Sequence, residues 1–353
     1  MEIRHWRTWL IDSNNSVRRH ARKWVAIVVT GSILACPVRV TAYETDQFSN
    51  RSQPVEDSTE VLNQEVNDTL EDIVANWHKG HDEMAVVNAI YRRIGGLHWV
   101  DKLERWAMKS AEVGKLSTPR YDSVYSGLPV WSVRATFFFG IGKTIRVNDE
   151  LIGSDKIGHF LSQGRKFYRR YIRYGSEERA ARRSAFTERA IFGSMTTGAY
   201  SNADLVANFE GYRFYRSLFE DNIVPGKPAM LRWDGDDWII QRPFEWADFV
   251  NEYWDEALNI NHFDRLLYKR MRKRLITFCP QYWESPAMYT IDSQSEQELQ
   301  GRYAHLQLRD ARELRLDALC PAEAPRPQDK GLTASTNPQQ ARPRPHNRST
   351  RSF

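Results

Sequence analysis

The stretch Asp57 to Trp77, DSTEVLNQEVNDTLEDIVANW, decides the fold class. Val61, Leu62, Val66, Leu70, Ile73, Val74 and Trp77 recur at the spacing of a single helix face, and acidic and amide residues fill the positions between them. Asp57 and Glu60 stand where a capping box would open that helix. Outward from it, the same reading predicts helices from Asp82 to Ile94, stopped by Gly95-Gly96, and from Trp99 to about Ala111. Further helices are expected over 155–174, 177–192, 202–220, 245–258, 262–278 and 296–319. Asn148-Asp149 and Asp234-Gly235 each lie between short apolar runs and predict two β-hairpins. The expected fold is mainly α: a single helical domain over residues 43–320 with two short hairpins.

The chain has 353 residues, 41% hydrophobic and 27% charged, which excludes a collagenous or wholly disordered protein. Its net charge of +5 is concentrated at the ends. Residues 1–42 carry seven Lys/Arg against two Asp/Glu, residues 321–353 carry six against two, and the body between them has 37 against 41. A mildly acidic body lacks the footprint of a nucleic-acid binder. Residues 18–23, RRHARK, precede an apolar run of 12 residues from Trp24 to Ala35, and Val40-Thr41-Ala42 offers a small-residue cleavage site. Residues 1–42 therefore read as a secretory signal peptide, too short in its apolar run to span a bilayer, and no transmembrane segment is expected in the mature chain. Ile33-Leu34-Ala35-Cys36 as a lipobox and Arg18-Arg19 as a twin-arginine signal are the alternative leaders. With the leader removed, Cys279 and Cys320 form an even pair that an oxidising compartment would join as a disulfide. From Pro321 onward six prolines in 33 residues and no apolar periodicity predict a disordered tail.

Two segments carry the polar residues from which chemistry can be built. In Asp155-Lys156-Ile157-Gly158-His159-Phe160, helical spacing puts Asp155, His159 and Gln163 on one face, and Gly158 and Gly164 point to a close approach by another backbone or a ligand. In TERAIFGSMTTGAYSNADLVANFEG, residues 187–211, Glu188 ends one helix and Ser201, Asp204 and Asn208 begin the next, across a glycine- and threonine-bounded turn at 193–199. Phe186, Ile191 and Phe192 would desolvate Glu188 and raise its pKa, as a general acid requires, with Asp204 as the second carboxylate of a glycoside-cleaving pair. The competing reading makes Ser201 and Asp204 a capping box and Asp155 a helix cap. Glu252, Glu256, His262 and Asp264 lie near a helix junction, and Asp155, His159 and His262 are the ligand set of a metal-dependent alternative, although no established metal motif is present. No cofactor is called for. Trp131, Trp233 and Trp238 are the aromatic residues best placed to line a sugar groove.

YETDQF at 43, DKIGHF at 155, GAYSNADLVANFEG at 198 and NINHFDRLL at 259 together resemble a family of uncharacterised exported proteins of Gram-negative bacteria, over nearly all of residues 43–320. DKIGHF also resembles a motif of the VanZ-like group. More distantly, Glu188, the Gly/Thr turn and the following helix resemble the core of lysozyme-like muramidases and lytic transglycosylases, with Arg189 where those families carry Ser. That resemblance implies a lysozyme-like arrangement with Glu188 as general acid. The leading expectation is an exported cell-envelope protein that cleaves or binds peptidoglycan or another envelope glycan. Glu188 and Asp204 would be catalytic, and Asp155, His159, Gln163, Ser201 and Asn208 would line the groove. A non-enzymatic envelope scaffold is the principal alternative and a metal-dependent hydrolase the second.

Overall fold

The computed structural model describes residues 45–96, 100–129, 132, 140–189 and 198–323. The leader, Trp99, Trp131, Ile191, Phe192, most of the Gly/Thr turn and the tail beyond 323 lie outside them. The fold is mainly α. Helices α1 (Thr59–Ala75), α2 (Glu83–Ile94) and α3 (Lys102–Lys109) come first. In α1, Leu62, Val66, Leu70 and Ile73 are buried as the periodicity predicts, but the Asp57/Glu60 capping box does not form. Asp57 instead accepts the Thr59 N–H at 2.7 Å and the Asp149 N–H at 2.8 Å, so it ties the helix start to the first hairpin. Asp82 caps α2 as a β-region residue accepting from Ala85 N–H. The third helix starts at a capping box of Asp101 and Glu104 rather than at Trp99.

Strands β1 (Lys115–Leu116), β2 (Thr144–Val147) and β3 (Glu150–Gly153) form an antiparallel sheet in that order, with Thr144 opposite Gly153 and Val147 opposite Glu150. Asn148 and Asp149, with φ of 52° and 63°, make the left-handed turn that two-residue hairpins favour. The chain then enters α4 (Asp155–Gly158), a π turn (His159–Gln163) and α5 (Gly164–Tyr174) as a continuous helical run. Next come α6 (Glu177–Thr187), β4 (Ala199–Tyr200) and α7 (Asn202–Ser217). Helix α7 is buried nearly all round, which makes it the central helix. It crosses the α4–α5 run at Gly211, where an added Cβ would lie 1.9 Å from the Phe160 carbonyl oxygen, and a Cβ on Gly164 would lie 2.6 Å from the Gly211 backbone. Two backbones meet there, as the glycine at 164 led one to expect, whereas at Gly158 the close neighbour is the Glu104 carboxylate, 2.5 Å from an added Cβ.

The second hairpin, β5 (Leu231–Trp233) and β6 (Trp238–Ile240), forms with Trp233 opposite Trp238. Trp238 is buried and Trp233 stacks on His81, with ring centroids 5.3 Å apart. No helix spans 245–258; two 3-10 turns, Trp246–Asp248 and Glu252–Trp254, stand in its place. Asn251 and Asp255 accept the N–H groups of Tyr253 and Ala257, and this local bonding competes with a helical ladder. Phe160 packs against Phe214, Phe244, Trp246, Phe249 and Trp254 in the main core. After β7 (His262–Phe263), which pairs with β4, come α8 (Arg265–Ile276), α9 (Cys279–Glu284), α10 (Ser293–Tyr303) and α11 (Leu316–Ala322). The helix expected over 296–319 is thus broken, with Gln307 in the left-handed region at φ 60°, and Pro321 belongs to α11 rather than to a tail. Cys279 and Cys320 form a disulfide inside a second apolar cluster built on α8, α9 and α11.

Candidate functional site

Two helix starts face each other. Ser154 leads from β3 into α4, so Asp155 and Lys156 lie in a first turn and His159 one turn later, at the head of the π turn. Opposite, the Ser201 hydroxyl accepts the Asp204 N–H at 3.1 Å and opens α7, which puts Asp204 in its first turn and Asn208 one turn on. Glu188 arrives from the C-terminal end of α6 and Glu256 from the segment after the second 3-10 turn.

The side chains form two arms that meet at Asp204. In the inner arm the Lys156 ammonium, wholly buried, lies 2.7 Å from Asp155 Oδ2, 2.8 Å from Asp204 Oδ1 and 2.7 Å from Glu256 Oε1. Thr45 Oγ1 donates to Asp155 Oδ1 at 3.2 Å and Asn261 Nδ2 to Glu256 Oε2 at 3.2 Å. Tyr125 holds Thr45 in turn, donating to its carbonyl at 3.0 Å. In the outer arm His159 Nε2 faces Asp204 Oδ2 at 3.3 Å, and His159 Nδ1 faces Asn208 Oδ1 at 3.0 Å. Asn208 Nδ2 donates to Glu188 Oε1 at 2.8 Å. With the amide nitrogen of Asn208 turned to Glu188, its oxygen faces His159, an arrangement that suits a proton on Nδ1. A second proton on Nε2 would complete the link to Asp204.

The electrostatics separate the two carboxyls beside the imidazole. Burial raises the pKa of Glu188, and the opposing pull of His159 does not cancel it. Burial would also raise Asp204, but His159 and Lys156 outweigh it and hold Asp204 below the usual carboxylate range. Burial opposes the charge of Lys156 and of His159 too, yet the surrounding carboxylates leave both raised. The result is one carboxyl pushed toward its protonated form and one pushed toward its ionised form, on opposite edges of one ring. A second buried carboxyl pair abuts α4. Burial pushes Asp101 up to about 6 and Glu104 well above its ordinary value, and Ser162 Oγ donates to Asp101 Oδ1 at 2.6 Å.

Of the residues singled out from sequence, Asp155, His159, Glu188, Ser201, Asp204 and Asn208 come together here. Gln163 does not. It is half-buried, closes the π turn and makes no side-chain hydrogen bond among the described residues. Asp204 does not complete a capping box with Ser201, since its carboxylate is turned to Lys156 and His159. Phe186 does not cover Glu188, being 50% exposed; the carboxyl is itself 2% exposed and sits against Asn208 and His159. Asp155 does not cap α4, whose N-cap is Ser154. Asp264 caps α8 by accepting from Leu266 and Leu267 N–H, and Asn261 donates to Glu256.

Sequence reasoning passed over Lys156, Thr45, Asp101 and Glu104. The pair at 101 and 104 carried a legible signal in its capping-box spacing, and Lys156 stood inside a quoted motif. As a place for a metal, the described residues offer Asp155, His159 and Asp204, one donor atom from each lying within 4.8 Å of the others. His262 is not among them; it stands opposite Tyr200 in the β4–β7 pair. The ammonium of Lys156 already provides the cation that two of those carboxylates share. Comparison with protein-family models, curated proteins and solved structures gave no match to this chain.

Proposed function

We propose that the protein is an exported hydrolase of the cell envelope that cleaves peptidoglycan glycan strands, with Glu188 as general acid and Asp204 as its ionised partner. The observation that carries this reading is the chain from Glu188 through Asn208 and His159 to Asp204. It fixes two carboxyls in opposite electrostatic settings, the asymmetry on which glycoside cleavage depends. Glu188 gives its proton to the glycosidic oxygen as the bond to the anomeric carbon breaks, and Asp204 stabilises the positive charge on the sugar. Water then supplies the new hydroxyl and returns a proton to Glu188. Substrate reaches the acid past His159 and Asp204, whose side chains keep 11% and 14% of their surface exposed. The leader, the resemblance to exported proteins and the Cys279–Cys320 bridge support the compartment.

The test is muropeptide mass spectrometry on purified sacculi treated with wild type and Glu188→Gln. Wild type is expected to release fragments, and the variant to be slower by roughly 100-fold or more. Because the acid must carry its proton, the wild-type rate should fall as pH rises through the elevated pKa of Glu188. Equal cleavage by both proteins would remove Glu188 from the mechanism. Absence of cleavage by either would favour the scaffold reading, which the near-complete burial of Glu188 and the threefold pairing of Lys156 also suit.

A further inference from the structure

The hairpin of α5 and α6 carries a concentration of charge that the site does not use. Arg169 and Arg173 on α5 and Arg179, Arg182 and Arg183 on α6 are exposed, and none has a carboxylate of the described residues within ion-pair distance. The acidic residues of this hairpin are Glu177 and Glu178, both at the start of α6, and Glu177 accepts a hydrogen bond from Tyr212 at 2.9 Å. The same two helices also turn two large apolar side chains to solvent, Ile172 at 55% and Phe186 at 50%. The opposite sides of both helices supply the core, through Phe167 and Tyr168 on α5 and Ala180 and Ala181 on α6, so the charged stripes face away from the body. Arg170 and Thr187, bonded at 3.0 Å, lock the two helices side by side. A second basic run lies on α8, where Arg265, Lys269, Arg270 and Lys273 are exposed beside Leu266 at 73%, but on a single helix rather than on two helices locked together.

We infer that the outer face of the α5–α6 hairpin docks on a bilayer surface bearing anionic phospholipid headgroups. Cations alone would serve any polyanion. Ile172 and Phe186 decide for a lipid surface, because exposed apolar side chains beside Arg residues gain by entering the headgroup boundary while the guanidinium groups bind phosphate. No helix among the described residues is long and apolar enough to cross a membrane, so the attachment is peripheral. The inference stands whether or not the chain cleaves glycan. Its consequence for that reading is a site held at a fixed height above a membrane.

The test is flotation of the full chain with vesicles of phosphatidylcholine alone and of phosphatidylcholine with phosphatidylglycerol, at low and high salt. Binding is expected to the anionic vesicles only and to weaken with salt. Replacing Arg169, Arg173 and Arg182 together by Gln should lower the affinity by roughly 100-fold, and Ile172→Ser with Phe186→Ser should lower it several-fold at unchanged charge. Circular dichroism of each variant checks that it is folded. No binding by wild type overturns the inference. So does a Lys269→Gln/Arg270→Gln/Lys273→Gln variant of α8 that loses as much as the hairpin variant, since attraction would then belong to no particular face. Soluble polyphosphate binding as tightly as vesicles, with the Ile172/Phe186 variant unaffected, would replace the bilayer by a polyanion and likewise overturn it.

Discussion

Lys156 sets the charge balance of the site. Three carboxylates lie within 2.8 Å of its ammonium, and the side chain is fully buried. Removing one partner of such a group is worse than never having built it, because the remaining charges stay desolvated without an opposite charge. Lys156→Met, which keeps the volume and deletes the cation, is expected to cost about 3–5 kcal/mol in urea unfolding at neutral pH. The sign of the pH dependence follows. Without the ammonium, Asp204 and Glu256 are buried acids whose folded pKa values rise, because Lys156 opposes their desolvation, so the stability they leave is retained at acid pH and lost as pH climbs. Part of the deficit should disappear in acid, and an equal loss at every pH would mean that packing, not charge, was lost. In the sequence Lys156 was visible only as the neighbour of Asp155. Helical spacing cannot announce a buried lysine, because its partners come from residues 204 and 256, far along the chain.

At the scale of elements, the meeting of α5 and α7 positions the site, since it fixes the distance between the helix bearing His159 and the one bearing Asp204 and Asn208. That meeting depends on Gly211, where a Cβ would lie 1.9 Å from the Phe160 carbonyl oxygen and under 3 Å from two further backbone atoms. Backbone cannot yield as a side chain end can, so Gly211→Ala must push the helices apart. A loss of about 1–3 kcal/mol is expected by urea unfolding, whereas Gly301→Ala, with open space at its Cβ on α10, should be neutral or stabilising. Equal effects at the two positions would show that helix propensity, not close approach, governs Gly211. Element by element, α1, α2 and both hairpins were legible because each rests on local signals: one apolar stripe, a capping Asp, a turn at Asn148-Asp149. The region 245–258 was not. Its apolar residues also fit helical spacing, but there Trp246, Phe249, Tyr253 and Trp254 are placed by the tertiary core and two 3-10 turns suffice to bury them. The same limit applies to the π turn His159–Gln163, which no periodicity encodes.

For the whole molecule, the last link is the one between its two apolar clusters and the C-terminal end. The main cluster forms around α7 and the aromatic residues of 244–254, and the second is built from α8, α9 and α11 with Phe48 and Tyr125. Segment 45–48 belongs to both functions, since Phe48 packs in the second cluster while Thr45 reaches Asp155. The convergence of Asp155, His159, Glu188, Asp204 and Asn208 was legible from sequence as a set of polar residues at helix ends, but their mutual geometry was not, because it is set by how α4, α6 and α7 pack. The disulfide, by contrast, followed from counting, and its contribution can be stated. Cys279 and Cys320 are 41 residues apart, and in the unfolded chain their bond removes the entropy of a loop of that length, roughly 4 kcal/mol in the chain-entropy account. Both sulfurs are buried, so the reduced protein also leaves two thiols in an apolar setting that accepts them at little cost. Replacing both cysteines by Ala should therefore lower unfolding stability by about that 4 kcal/mol, with the loss carried by the region from α8 to α11 and the His159 centre left assembled. Hydrogen exchange locates the effect: the increase is expected to be largest in residues 265–322, whose local opening already frees the loop, and an equal increase in α7 would mean that the bridge stabilises the molecule as one cooperative unit.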